Sequence, residues 1–149
     1  MEFYDWLSSD EEFCKELGKA ILAASKLEVV LWRYLEDKDI SVREKEATLG
    51  TLTRKLKTND LVGRNFEMVL TTLTTQRNYL THSLYALFSG KIKETLLPVN
   101  ELSAMDVELF SEKAQILAQD LNYIANVAVN ELNRHNKSLN TDTHCVGAG

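Results

Sequence analysis

The sequence predicts an all-α fold, a four-helix up-and-down bundle. Three observations point there. The 149 residues include 6 glycines and 1 proline, and long stretches contain neither. Apolar residues recur at three- and four-residue spacing instead of alternating. Short runs of turn and capping residues separate those segments.

Taken in order, Ser9 or Asp10 caps a first long helix through about Leu35, behind an aromatic lead of Phe3, Tyr4 and Trp6. Its apolar stripe is Phe13, Leu17, Ala20, Ala24, Leu27, Leu31 and Tyr34. Residues 37–40 connect it to a capping box, Ser41-Val42-Arg43-Glu44, which opens a second helix through about Lys57. Ala47, Leu49, Leu52 and Leu56 are its residues available for burial. Thr58-Asn59-Asp60 is turn chemistry, with Asn59 or Asp60 capping a third helix that stops near Ser89-Gly90. Residues 90–102, with Pro98, read as a loop, and Ser103 caps a fourth helix through about Lys137. That helix carries Val107, Phe110, Ala114, Leu117, Leu121, Ile124 and Ala128 at helical spacing. Residues 1–137 therefore form a single domain, and 138–149, which lack periodicity, a flexible C-terminal tail.

The charge and cysteine pattern narrows the function classes. A formal net charge of −5 opposes coating nucleic acid by bulk electrostatics. It leaves room for a local basic site, since Arg43, Lys45, Arg54, Lys55, Lys57 and Arg64 outnumber the acids around them, although such a run is most often a solvated face. No apolar run has the roughly 18–20 residues of a membrane span, and the first residues lack a signal peptide's pattern. Cys14 and Cys145 have no motif spacing, so a reduced, cytoplasmic protein is expected. His135 and the His144-Cys145 pair make a poor metal site, and neither a metal nor another cofactor is expected. Trp6 and Trp32 read as core or interface residues, and Asn122, Asn126, Asn130 and Asn133 as a solvated face or a polar seam.

The stretch Arg77-Asn78-Tyr79-Leu80-Thr81-His82 carries the chemistry. Arg77 interrupts the stripe Phe66, Leu70, Leu73, Leu80, Leu84, Leu87, where a cation is costly unless a partner or a wet cleft receives it. Asn78 and His82 are helical neighbours, with Tyr85 beside them, so the amide can orient the imidazole. Arg77 and His82 lie about 140° apart around a regular helix. Either the helix is distorted, or the two meet across a dimer cleft. Thr71, Thr74, Thr75 and Thr81 share the polar side with Asn78 and His82 and suit a cleft wall. Glu28, next to Leu27 and Leu31, is the acid expected to pair with Arg77 or line the same cleft, whether as a register-fixing ion pair or as part of a site.

An arginine, a polar residue after it, and a histidine five positions on resemble the signature of the HEPN superfamily (higher eukaryotes and prokaryotes nucleotide-binding). The resemblance takes in Ser25-Lys26-Leu27-Glu28 with Leu31-Trp32-Arg33, and Thr48-Leu49-Gly50-Thr51-Leu52 with Lys55-Leu56-Lys57. It implies a dimeric four-helix domain that cuts RNA without a metal, as in toxin–antitoxin or phage-defence systems. Arg77 and His82 carry over as the catalytic pair, Asn78 as support, and Glu28 as a further site residue. One family variant has a tyrosine two positions after the histidine, modified by a nucleotidyltransferase encoded alongside it; here Leu84 holds that position and Tyr85 follows. The expected partners are an RNA substrate, a second copy of the chain, and a cognate antitoxin or nucleotidyltransferase, with no membrane. The alternative is a non-catalytic helical module that binds a nucleotide or a protein.

Overall fold

A computed structural model describes residues 2–82 and 104–142. Five α-helices and one 3-10 turn make up the described chain: α1 Glu2–Ser9, α2 Glu11–Asp37, the turn Glu44–Glu46, α3 Leu49–Thr58, α4 Arg64–His82 and α5 Ala104–Asp142. No strand occurs among the described residues, so the all-α expectation holds. Tyr85, the stop at Ser89-Gly90, the loop over 90–102 and the Ser103 cap lie outside them, as do residues 143–149 of the expected tail. The last helix runs on to Asp142, past Lys137.

The expected stripes are the faces that pack. On α2, Phe13, Ala20, Ala24, Leu27 and Leu31 are buried, and Ala23, Val30 and Leu35 join them. On α5, every residue from Val107 to Ala128 in the expected stripe is buried. These two helices form the main contact of the fold, and alanine dominates their seam: Ala20, Ala23 and Ala24 on one side, Ala114, Ala118 and Ala125 on the other. Small side chains let two helix axes approach at the short end of the usual range.

Two side-chain contacts set the direction of the pair. Ser111 Oγ donates to Asp10 Oδ1 at 3.4 Å, and Lys26 Nζ donates to Asn126 Oδ1 at 2.9 Å. Moving forward along α2 is therefore moving forward along α5, and the two run parallel. α4 runs the other way. Its approach follows Leu61, whose carbonyl accepts from Tyr34 at 3.4 Å; farther on, Arg77 reaches Glu28, and Tyr79 packs with Phe13 and Phe110. The long helices therefore go up, down and up, with α3 a short bracket across α2 and α4. A strict up-and-down bundle of four would set its first and last helices antiparallel. The aromatic lead is a helix of its own, α1, which seats Phe3 and Leu7 with Phe110 at one end of the core.

The second helix begins later than its capping box suggested. Val42 is buried, and its carbonyl accepts from Trp32 Nε1 at 3.0 Å, which holds the chain extended where Ser41 would have started a helix. Thr48 caps α3 instead, accepting from Thr51 N at 3.3 Å. Asn59 and Asp60 end α3 and do not start α4. Asp39 and Asp60 both adopt left-handed backbone, with φ of 59° and 51°. Each sits where a helix closes with a six-to-one hydrogen bond: Ile40 N to Leu35 O at 2.9 Å and Leu61 N to Leu56 O at 3.1 Å. The paired residues Ile40–Leu35 and Leu61–Leu56 are apolar, so each closure also tucks the outgoing chain onto the core. Glycine bears that φ without strain. Asp39→Gly and Asp60→Gly are each expected to raise stability by about 0.5–1 kcal/mol in urea melts.

Glu16 is the one buried carboxylate on the described core face, 3% exposed, and Lys19 Nζ donates to it at 2.6 Å. That hydrogen bond, opposed by burial and aided by the charges of Lys19 and Lys15, holds the carboxyl below the ordinary carboxylate value. Its stabilisation is present above the unfolded carboxyl's titration and is lost as pH falls through the lowered folded value. Thermal melts of Lys19→Met should show a lowered Tm at pH 7 and a much smaller difference below about pH 3.

Candidate functional site

Where α2, α3 and α4 meet, one carboxylate ties the three together. Glu28 Oε1 accepts from the backbone N–H of Leu49, the first residue of α3, at 2.9 Å. The N-terminal end of a helix carries partial positive charge, so a carboxylate there gains both a hydrogen bond and the dipole. The same oxygen lies 4.0 Å from Arg77 Nη2 on α4. Both side chains are half-buried, 20% exposed for Glu28 and 25% for Arg77. The acid expected to meet Arg77 does meet it, and in addition closes the first turn of α3.

Arg77 keeps much of its hydrogen-bonding capacity. Its Nη1 donates to Asn78 Oδ1 at 3.2 Å, while Nε is buried with no partner. The guanidinium is one-quarter exposed, and its terminal N–H groups, not the enclosed Nε, are the ones a phosphate or carboxylate oxygen could meet. Asn78 therefore orients the arginine; among the described residues no hydrogen bond joins it to His82. That revises the role read from spacing, and the reason is proximity: the carboxamide reaches the adjacent side chain as easily as one a turn away.

His82 is exposed at the last described position of α4. Arg77 is turned toward α2 and α3, so the two do not converge within one chain, as regular helix geometry requires. The polar side between them is less open to ligands than its composition suggests. Thr71, Thr74, Thr75 and Thr81 each donate their hydroxyl to the carbonyl four residues earlier, at 2.7–3.0 Å. Threonine back-bonding of this kind satisfies the hydroxyl internally. What remains for a ligand is Arg77, Asn78 and His82, since the first turn of α3 already donates to Glu28 and Thr48.

Two of the basic residues around α3 are ion-paired, Lys57 with Glu67 at 2.9 Å and Arg43 with Glu46. Among the described residues no group of three His, Cys, Asp or Glu side chains could hold a metal ion, and no helix is long and apolar enough to cross a membrane. Asn126 is engaged by Lys26, and Asn122 Nδ2 donates to Ala118 O at 3.1 Å, which makes the asparagine side of α5 a border with α2 and solvent.

No family model matches the chain, and neither a curated protein nor a solved structure matches it.

Two substitutions at Glu28 separate its two contacts. Glu28→Ala should cost about 1–2 kcal/mol in chemical denaturation, the range for a lost cap. Glu28→Gln keeps an acceptor for Leu49 N and should cost less than half of that; equal losses would give the pairing with Arg77 the larger share.

Proposed function

We propose that the chain is a metal-independent endoribonuclease of HEPN type, acting as a dimer in which Arg77 of one copy and His82 of the other share a cleft. The observation that carries this reading is the partly exposed guanidinium of Arg77, held at Glu28, five residues before an exposed histidine on the same helix. In the reaction the 2′-hydroxyl of RNA attacks the adjacent phosphorus and the 5′-oxygen of the next nucleotide leaves. A histidine takes the hydroxyl proton or protonates the leaving oxygen, and the guanidinium holds the charge that builds on the non-bridging oxygens. Asn78 and Glu28 keep the guanidinium in place, leaving Arg77 to approach the phosphate. A toxin–antitoxin or phage-defence setting, with a cognate antitoxin or nucleotidyltransferase as partner, belongs to the same proposal and rests on the resemblance of the motif.

One observation favours the second reading, a non-catalytic helical nucleotide- or protein-binding module. Glu28 already has a structural task at α3, so its approach to Arg77 also serves to lock three helices in register. On that reading Arg77→Met leaves the protein as stable or more so, and no turnover is lost.

RNA cleavage in EDTA distinguishes them. Arg77→Ala and His82→Ala should each reduce cleavage by about a hundredfold or more while binding persists. Mixing the two inactive variants should recover about a quarter of wild-type activity, since half of randomly formed dimers would hold one intact composite site. Cleavage that is equal in all three proteins, or bound RNA with no turnover in the wild type, removes the nuclease.

A further inference from the structure

The Arg77 guanidinium is not a bare cation. Glu28 Oε1 lies 4.0 Å from its Nη2, an ion pair longer than a hydrogen bond, so the carboxylate lends its charge without engaging the Nη2 protons. Nη1 donates to a neutral group, Asn78 Oδ1 at 3.2 Å. Glu28 does not swing aside freely for another anion. The backbone N–H of Leu49 holds the same oxygen at 2.9 Å, and withdrawing it would leave the first N–H of α3 unmatched.

The surrounding charges leave that balance in place. Arg43, Glu44, Lys45 and Glu46, which lead into α3, cancel one another, and Arg43 is paired with Glu46. Lys26, the base on α2 nearest to Glu28 in sequence, is turned to Asn126 on α5. The dipole of α3 offsets only part of the carboxylate's charge. The terminal N–H groups of Arg77 therefore meet solvent at a small positive potential, beside a negative charge fixed in place.

Such a setting selects a ligand by its charge. Attraction to a site grows in proportion to the charge of an anion, whereas the cost of stripping its water grows as the square of that charge. Beside an unbalanced arginine, the attraction decides. Beside one already balanced by a carboxylate, the dehydration decides, and a single charge is favoured. A phosphodiester has one negative charge, and a phosphate monoester has about two near pH 7. We propose that Glu28 is a specificity residue, which makes Arg77 a site for a singly charged phosphodiester and excludes a phosphate monoester, such as a free nucleotide or a phosphorylated chain end. For an enzyme that cuts within RNA, this selection favours internal linkages over ends. It rests on the nuclease reading's placement of a phosphate at Arg77, and not on turnover.

The test is a titration of the full chain with 2′-deoxyadenosine 3′-phosphate and with its methyl ester, followed near neutral pH by the nuclear magnetic resonance signal of the Arg77 side-chain N–H. The two ligands differ by one charge and one methyl group, and neither can be cut because the attacking hydroxyl is missing. The wild type should bind the ester about fivefold or more tightly than the phosphate. Glu28→Gln, which keeps an acceptor for Leu49 N, should bind the phosphate about tenfold more tightly than the wild type does, with the ester changed by roughly threefold or less. A wild type that binds both equally, or the phosphate better, overturns the proposal. So does a Glu28→Gln protein that keeps the wild-type preference. The comparison of the two ligands on the wild type needs no variant, and it decides alone if Glu28→Gln does not fold. An Arg77 signal that neither ligand moves overturns the proposal and the phosphate role of Arg77 together. Equal binding in a protein that cuts RNA removes only the charge selection, and discrimination in a protein that leaves RNA intact upholds it and removes only the nuclease.

Discussion

The close, parallel packing of α2 on α5 is the constraint from which the rest of the architecture follows. It is made of alanines flanked by leucines, so the two helices approach closely and bury a seam running from Ala20 and Ala114 to Leu31 and Ala128. Parallel helices cannot be joined by a short turn. The chain between them must travel back, and α4 does so. α3 is left to bracket α2 and α4, and α1 to close the end of the core with Phe3 against Phe110. Apolar burial of this kind supplies most of the stabilisation a helical domain has, and it leaves orientation to the few polar contacts that cross between helices.

Glu28 is the most consequential of those contacts. Its carboxylate is presented by α2, hydrogen-bonded by the first residue of α3 and approached by a cation on α4. A single side chain thus relates the three helices that converge on the candidate site. The arrangement also accounts for the cation on an otherwise apolar stripe. Arg77 occupies a half-buried position because the Glu28 carboxylate faces it there, and the neighbouring Asn78 accepts from the guanidinium. Its buried Nε remains unpartnered, and buried donors left unmade are costly enough to ask for an explanation.

The net charge of −5 opposes bulk electrostatic binding of nucleic acid, and Lys57 and Arg43 are engaged in ion pairs. Any phosphate must be recognised locally, by directed N–H groups and not by diffuse charge. Such recognition is weak from one side chain.

The sequence by itself determined the helical class, the face that each long helix buries and the residues of the motif. These follow from local periodicity, which acts along a single segment and needs no knowledge of its neighbours. The stripes on α2 and α5 were legible for that reason, as was the Asp10 cap, whose carboxylate accepts from Phe13 N at 2.6 Å. The pairing of Glu28 with Arg77 was legible too, because an acid and a base stranded beside apolar stripes have few other places to go. Tertiary structure decided the rest. Ser41 had a capping box but lost it to burial of Val42 and the Trp32–Val42 hydrogen bond, a contact between distant elements that outweighs a local preference. Asn59 and Asp60 can start or stop a helix equally well, and the packing of Leu61 on Leu56 chose the stop. Likewise the parallel course of α5 and the backbone bond that gives Glu28 its second task depend on where helices lie in space. A period of 3.6 residues specifies which face of a helix is apolar, and carries no information about which helix covers it or in which direction that helix runs.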